Sequence, residues 1–145
     1  MENKIKIRAV AENMSVVTDY LTECLEKKGI PEKLIYALNI AADEIFSNIA
    51  KYGFPHEAGE VDIIVDVGEE GVRMTFSDTG IPFDPLEIPD PDTTLSAAER
   101  DPGGLGIFMV KKLMDKTEYR YENGRNVMSV FKNTVTVTDD PEKTT

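Results

Sequence analysis

The sequence predicts an α+β fold, a two-layer α/β sandwich in which helices pack on one face of a mixed, mostly antiparallel β-sheet. Three observations carry this. Two helical patterns stand next to each other early in the chain, two strand pairs are joined by short turns, and one long proline-rich stretch separates the halves. Grouped helices and hairpin-linked strands are the signature of segregated layers, whereas a doubly wound sheet needs strict strand–helix alternation.

Residues 4–10 (KIKIRAV) alternate apolar and polar and open the sheet. From Ser15 the period changes to that of a helix, with Val16, Tyr20 and Cys24 in one row and Val17, Leu21 and Leu25 in the next. Gly29 stops it, and Pro31 suits the first turn of a second helix. That helix runs to about Tyr52, with Leu34, Leu38, Ala42, Ile45 and Ile49 as its buried row. Residues 60–67 and 72–78 alternate again and flank Gly68-Glu69-Glu70-Gly71, so they form a hairpin. Ile81 to Pro102 holds five prolines and resists regular structure. Connections beyond about 12–15 residues usually serve as lids or binding loops, or are disordered. Gly103 to about Met114 reads as a third helix with Leu105, Phe108, Met109 and Leu113 inward. Residues 117–122 and 126–137 form a second hairpin turning at Asn123-Gly124. The polar tail 139–145 is expected to be flexible.

Composition narrows the function. With 145 residues the expectation is one domain, here over residues 1–138. Asp and Glu total 27 against 16 Lys and Arg, a net charge of −11. That balance argues against direct binding to nucleic acid or to an anionic membrane, since both need a basic footprint. A single cysteine, Cys24, and a single histidine, His56, leave no zinc cluster. The opening MENKIKIRAVAEN has no signal-peptide core and no apolar run approaches a membrane span, so a cytoplasmic protein is expected. Any catalysis must rest mainly on carboxylates, amides and backbone.

Three elements bear on chemistry. Glu44 and Asn48 are four apart and share a helix face beside the apolar stripe. A carboxylate there accepts a proton or orients a hydroxyl, and an amide oxygen suits Mg²⁺. Alone, the pair reads first as a solvated helix face with two polar residues. Asp78, in Ser77-Asp78-Thr79-Gly80, keeps the parity of Val72, Met74 and Phe76 and so points inward, where a carboxylate needs a donor such as the exocyclic amine of adenine. Gly80 would let backbone approach the base closely. Alone, this is also a plain turn ending a strand. Gly103-Gly104-Leu105-Gly106 opens a helix, and helix N-termini attract phosphate. Alone it is a glycine-rich helix start, without the lysine of a Walker loop.

In this order, the three resemble the boxes of the GHKL (Bergerat) ATP-binding fold shared by gyrase, histidine kinases and MutL. The segments Asp43-Glu44-Ile45-Phe46-Ser47-Asn48, Asp78-Thr79-Gly80-Ile81-Pro82-Phe83-Asp84-Pro85 and Gly103-Gly104-Leu105-Gly106-Ile107-Phe108 are most similar to the anti-sigma-factor serine kinases of the RsbW and SpoIIAB type. The resemblance implies Glu44 as general base, Asn48 as Mg²⁺ and ATP ligand, and Asp78 with Gly80 as the adenine site. It also implies Gly103, Gly104, Leu105 and Gly106 around the phosphates, Arg100 reaching the terminal phosphate, and residues 81–102 as the ATP lid. Pro82 stands where a second glycine is usual, a variation that occurs in this branch. Lys51, one turn beyond Asn48, either approaches phosphate or is simply solvated.

The activity so implied is an ATP-dependent serine/threonine protein kinase and anti-sigma factor with ATP and Mg²⁺ as cofactors. Its partners would be a STAS-domain anti-anti-sigma protein, a sigma factor and, since family members tend to dimerise, a second copy as homodimer. The alternative is a non-catalytic ATP-binding regulatory module acting by stoichiometric partner binding. Retention of both Glu44 and Asn48 favours the kinase. A detached histidine-kinase domain fits poorly, because His56 lies in a loop.

Overall fold

A computed structural model describes residues 2–89 and 105–135. Strand β1 (Glu2–Arg8) leads through a short 3₁₀ turn into helix α1 (Met14–Lys27) and then helix α2 (Glu32–Asn48). The hairpin β2 (Glu60–Val67) and β3 (Gly71–Asp78) follows. Helix α3 (Leu105–Leu113) and the hairpin β4 (Lys116–Glu122) and β5 (Arg125–Asn133) complete the described chain. The sheet order is β1-β2-β3-β5-β4. All four pairings are antiparallel, so the parallel component allowed by the sequence reading is absent among the described residues.

Alternation sets which sheet face is buried. Ile63 pairs with Phe76 and Val65 with Met74, and these in turn meet Met128 and Val130 of β5. This apolar face packs against Val17, Leu21 and Leu25 of α1, Leu38, Ala42, Ile45 and Phe46 of α2, and Ile107 and Val110 of α3, all buried in one core. The opposite face carries polar pairs such as Asp62 with Ser77 and Thr75 with Ser129, whose hydroxyls lie 3.2 Å apart. Asn123 and Gly124 both take positive φ, 55° and 75°, as a two-residue hairpin turn of the mirror-image type requires.

Several expected boundaries and faces shift. Val16 is exposed and Tyr20 only partly covered, so α1 buries the row of Val17, with Cys24 beside it. Pro31 precedes α2 instead of lying in its first turn, and its carbonyl accepts from Leu34 and Ile35 N–H. The α-helix ends at Asn48 and continues as a wider π-helical turn over Ile49–Gly53. In α3, Ile107 and Val110 are the buried residues and Met109 is exposed, which corrects the inward places expected of Phe108 and Met109, while Leu113 packs partly buried against the core as expected. The segment Ile107-Phe108-Met109-Val110 is apolar on all sides, so its period has no unique phase. β5 ends at Asn133, earlier than residue 137, where Thr134 N–H turns away to the carbonyl of Glu70. The stretch after β3 is described to Pro89 and holds a 3₁₀ turn at Pro85–Glu87, whose entry Asp84 caps by accepting from Leu86 N–H. Among the described residues no helix is long and apolar enough to cross a membrane.

Candidate functional site

The C-terminal half of α2 carries the first group. Glu44 is half-buried and Asn48 is buried, one turn further on the same face. Burial pushes the Glu44 carboxyl up, the Asn48 amide and the Lys51 charge pull it back, and Asp43 adds to the rise. The attraction from Asn48 stops short of a formed hydrogen bond, because its buried Nδ2 has no hydrogen-bond partner. Asparagine oxygen and nitrogen are nearly isosteric, so this amide can present its oxygen to a cation. Lys51 is exposed on the π turn and acts on Glu44 by its charge.

Helix α3 begins against this group. A Cβ on Gly106 would overlap the Glu44 carboxyl, both its carbon and its oxygens. Only a glycine lets the first turn of α3 and this carboxylate share the space. Gly106→Ala is therefore expected to leave stability within about 1 kcal/mol of the parent, since alanine favours the helix and Glu44 can swing away. The displaced carboxylate should cost any activity that depends on it. Thermal melts set beside a phosphoryl-transfer assay check both halves.

The end of β3 carries the second group. Asp78 is 2% exposed, and its Oδ1 accepts from Gly80 N–H at 2.8 Å and from Asn126 Nδ2 at 3.1 Å. Burial raises its carboxyl above the ordinary range, while the Gly80 N–H, the Asn126 amide and the Arg125 charge oppose the rise. Both of these bonds fall on Oδ1, and neither uses Oδ2. The π turn links the two groups. Gly53, at its end, accepts from Ile81 N–H at 2.9 Å, and a Cβ there would stand 3.9 Å from Asp78 Oδ1. A Cβ on Gly80 would run into that same Gly53 carbonyl. The Gly53 backbone cannot move cheaply and the Asp78 carboxylate beside it is tied by hydrogen bonds, so Gly80→Ala is expected to destabilise by about 1–3 kcal/mol. A denaturant titration would read this as a lower midpoint at unchanged slope.

Glu44, Asn48, Asp78, Gly80 and Gly106 thus surround one region between α2, the π turn, the β3 end and the start of α3. Of the other expected residues, Arg100, Gly103 and Gly104 lie outside the described residues. So do the side chain of Leu105, residues 90–102 of the expected lid, and residues 136–145, which include the expected tail 139–145. Leu105 contributes the first backbone position of α3. Asn126 was missed by the sequence reading. It is buried, and its signal was a polar residue at inward parity ahead of the apolar run Val127-Met128.

A family model for the histidine kinase-like ATPase domain matches residues 7–132, nearly the whole chain and every candidate site residue. The chain belongs to the histidine kinase-like ATPase domain family. Within that family it is similar to the serine-protein kinase RsbW of Bacillus cereus (strain AH187), 24% identical over 134 residues covering 86% of this chain and 81% of the relative. The same protein of Bacillus thuringiensis (strain Al Hakam) matches with the same identity and coverage. Among solved structures, the RsbU and RsbW domains of a Mycobacterium tuberculosis protein superpose with a TM-score of 0.67 at 15% identity. That match covers 94% of this chain but spans only 33% of the longer one, and it shows the fold alone.

Proposed function

We infer that this chain is an ATP-dependent serine/threonine protein kinase and anti-sigma factor. It would phosphorylate a STAS-domain anti-anti-sigma protein and sequester a sigma factor in the cytoplasm, as a single ATP-binding domain over residues 1–138 with 81–102 as lid. The observation that carries the reading is the half-buried Glu44 carboxylate, set beside the Asn48 amide and against the first turn of α3. The names of its RsbW relatives support the serine-kinase assignment.

The assigned roles follow from the chemistry of each group. Asp78 Oδ2 accepts from the exocyclic amine of adenine, while Oδ1 is occupied by Gly80 and Asn126. The first turn of α3 offers free N–H groups to the triphosphate. Turned so that its oxygen takes the place of the unpartnered buried Nδ2, the Asn48 amide would serve as a cation ligand. No group of three or more His, Cys, Asp or Glu converges on a metal position among the described residues. A cation here would therefore share its shell with phosphate oxygens, as Mg²⁺ does, and when bound it neutralises charge on the triphosphate. Such local positive charge matters in a chain of net charge −11. Glu44 takes the proton of the incoming serine hydroxyl as its oxygen bonds to the γ-phosphorus and the bond to the β,γ-bridging oxygen breaks. Burial shifts the Glu44 carboxyl toward the working pH, which favours a general base.

The test is Mg²⁺-dependent ATP binding by calorimetry, followed by labelled-phosphate transfer to a STAS-domain protein. Binding with transfer to serine supports the kinase. Binding without transfer favours the non-catalytic regulator, and no binding overturns both.

A further inference from the structure

Asn126 stands opposite Asp78 in the β3–β5 register and is 6% exposed. All of its polar capacity is directed at one small region. Its Nδ2 donates to Asp78 Oδ1 at 3.1 Å, to the Gly80 carbonyl at 3.2 Å and to the Ile81 carbonyl at 3.0 Å. Its Oδ1 accepts from Phe83 N–H at 3.1 Å and from the Tyr119 hydroxyl on β4. One amide therefore joins the strand-end carboxylate to the backbone of residues 80–83, and a second strand holds the amide. A residue serving only the sheet would need none of these bonds, because the β3–β5 ladder is already complete in backbone pairing.

We propose that Asn126, seated by Tyr119, is a positioning residue that fixes Asp78 and the backbone of residues 80–83 as one nucleobase-recognition unit. It holds Oδ1 inward and leaves Oδ2 for the exocyclic amine of the base. This rests on the nucleotide reading above. Asn126 acts through Asp78 and need not touch the ligand.

Charge around Asp78 makes the idea testable by pH. From β5 it is faced by Arg125, which favours its ionised form, and from β4 by Tyr119, itself close to Asp84. The π turn presents the uncharged Gly53, and β2 presents Val61. With Asn126 in place, ATP affinity falls on acidification, because the base's amine needs an ionised acceptor. In Asn126→Asp, a second carboxylate faces Asp78 and two carbonyl oxygens without a donor. One proton shared by the pair restores a donor, so affinity first rises on acidification.

The experiment measures MgATP affinity of the full chain from neutral to acid pH for the parent, Asn126→Ala, Asn126→Asp and Tyr119→Phe. The last variant removes only a hydroxyl and keeps the test open if the Asn126 variants fold poorly. In parallel, NMR follows the Asp78 carboxyl titration without nucleotide. The expected results are a loss of about tenfold or more in affinity for Asn126→Ala, a smaller loss for Tyr119→Phe, an upward-shifted Asp78 titration in Asn126→Ala, and the reversed pH trend in Asn126→Asp. Parent-like affinity and pH profile in the variants, with an unmoved Asp78 titration, would overturn the proposal. If the parent binds no ATP yet the Asp78 titration moves in Asn126→Ala, the nucleotide reading fails and the positioning of Asp78 by Asn126 is supported.

Discussion

Replacing Asp78 with asparagine is expected to weaken ATP binding about 100-fold while making the protein more stable at neutral pH. Asparagine keeps an oxygen where Oδ1 accepts from Gly80 and Asn126, so the local structure survives. Its amide nitrogen then replaces Oδ2 and sets a donor against the donating amine of adenine. Losing a hydrogen bond to a charged acceptor and stranding two donors costs about 3 kcal/mol, which is about two decades in Kd. The stability gain follows from the direction of the Asp78 shift. Burial holds its carboxyl above the ordinary range, so the folded chain takes up this proton at a higher pH than the unfolded chain. Stability from this group is therefore present in acid and is lost as pH rises from the ordinary carboxylate range through the raised folded value. Asp78→Asn removes that loss. Its advantage in Tm should be clear at neutral pH and vanish in acid. Thermal melts across pH, with calorimetric titration of ATP, measure both effects, and a variant less stable than the parent at neutral pH would contradict the account.

Glu44→Gln should separate binding from chemistry. The glutamine keeps the shape that fills the space beside Gly106 but cannot take a proton. Phosphoryl transfer to the serine partner should fall by about 10²–10⁴, the usual contribution of a general base, with ATP affinity unchanged. Glu44 is held above the ordinary carboxylate range by burial, as Asp78 is, so its neutral replacement should not destabilise the fold. Single-turnover transfer beside equilibrium ATP binding provides the measurement. Parent-like transfer by the variant would remove Glu44 from the base role, whereas loss of both transfer and ATP affinity would mark it as a binding residue.

Much of this arrangement was legible before any tertiary contact was known. Strict alternation in Val72, Met74 and Phe76 put Asp78 on the buried face, because side chains on a strand repeat every second residue. The four-residue spacing placed Glu44 and Asn48 on one side of α2, since a helix turns about 100° per residue. The Asn123-Gly124 pair located the second hairpin, because few residues tolerate positive φ. Each of these inferences uses only neighbours in the chain, where covalent geometry dictates direction.

What pairing and packing decided lay beyond such local rules. Nothing near Asn126 in sequence announces Asp78, its partner across the sheet, because the two strands that bring them together place them 48 residues apart in the chain. The inward face of α3 was misjudged because Ile107-Phe108-Met109-Val110 is apolar all round, so contact with α2 and the sheet, not periodicity, chose Ile107 and Val110. The sequence marked Gly106 as a glycine at a helix start. Only the approach of α3 to α2 shows that any side chain there would displace the Glu44 carboxylate, which fills that space. Spacing along the chain thus set the inward direction of Asp78 and the shared face of Glu44 and Asn48, whereas the buried face of α3 and the groups that meet in the site were set by burial summed over segments far apart in sequence.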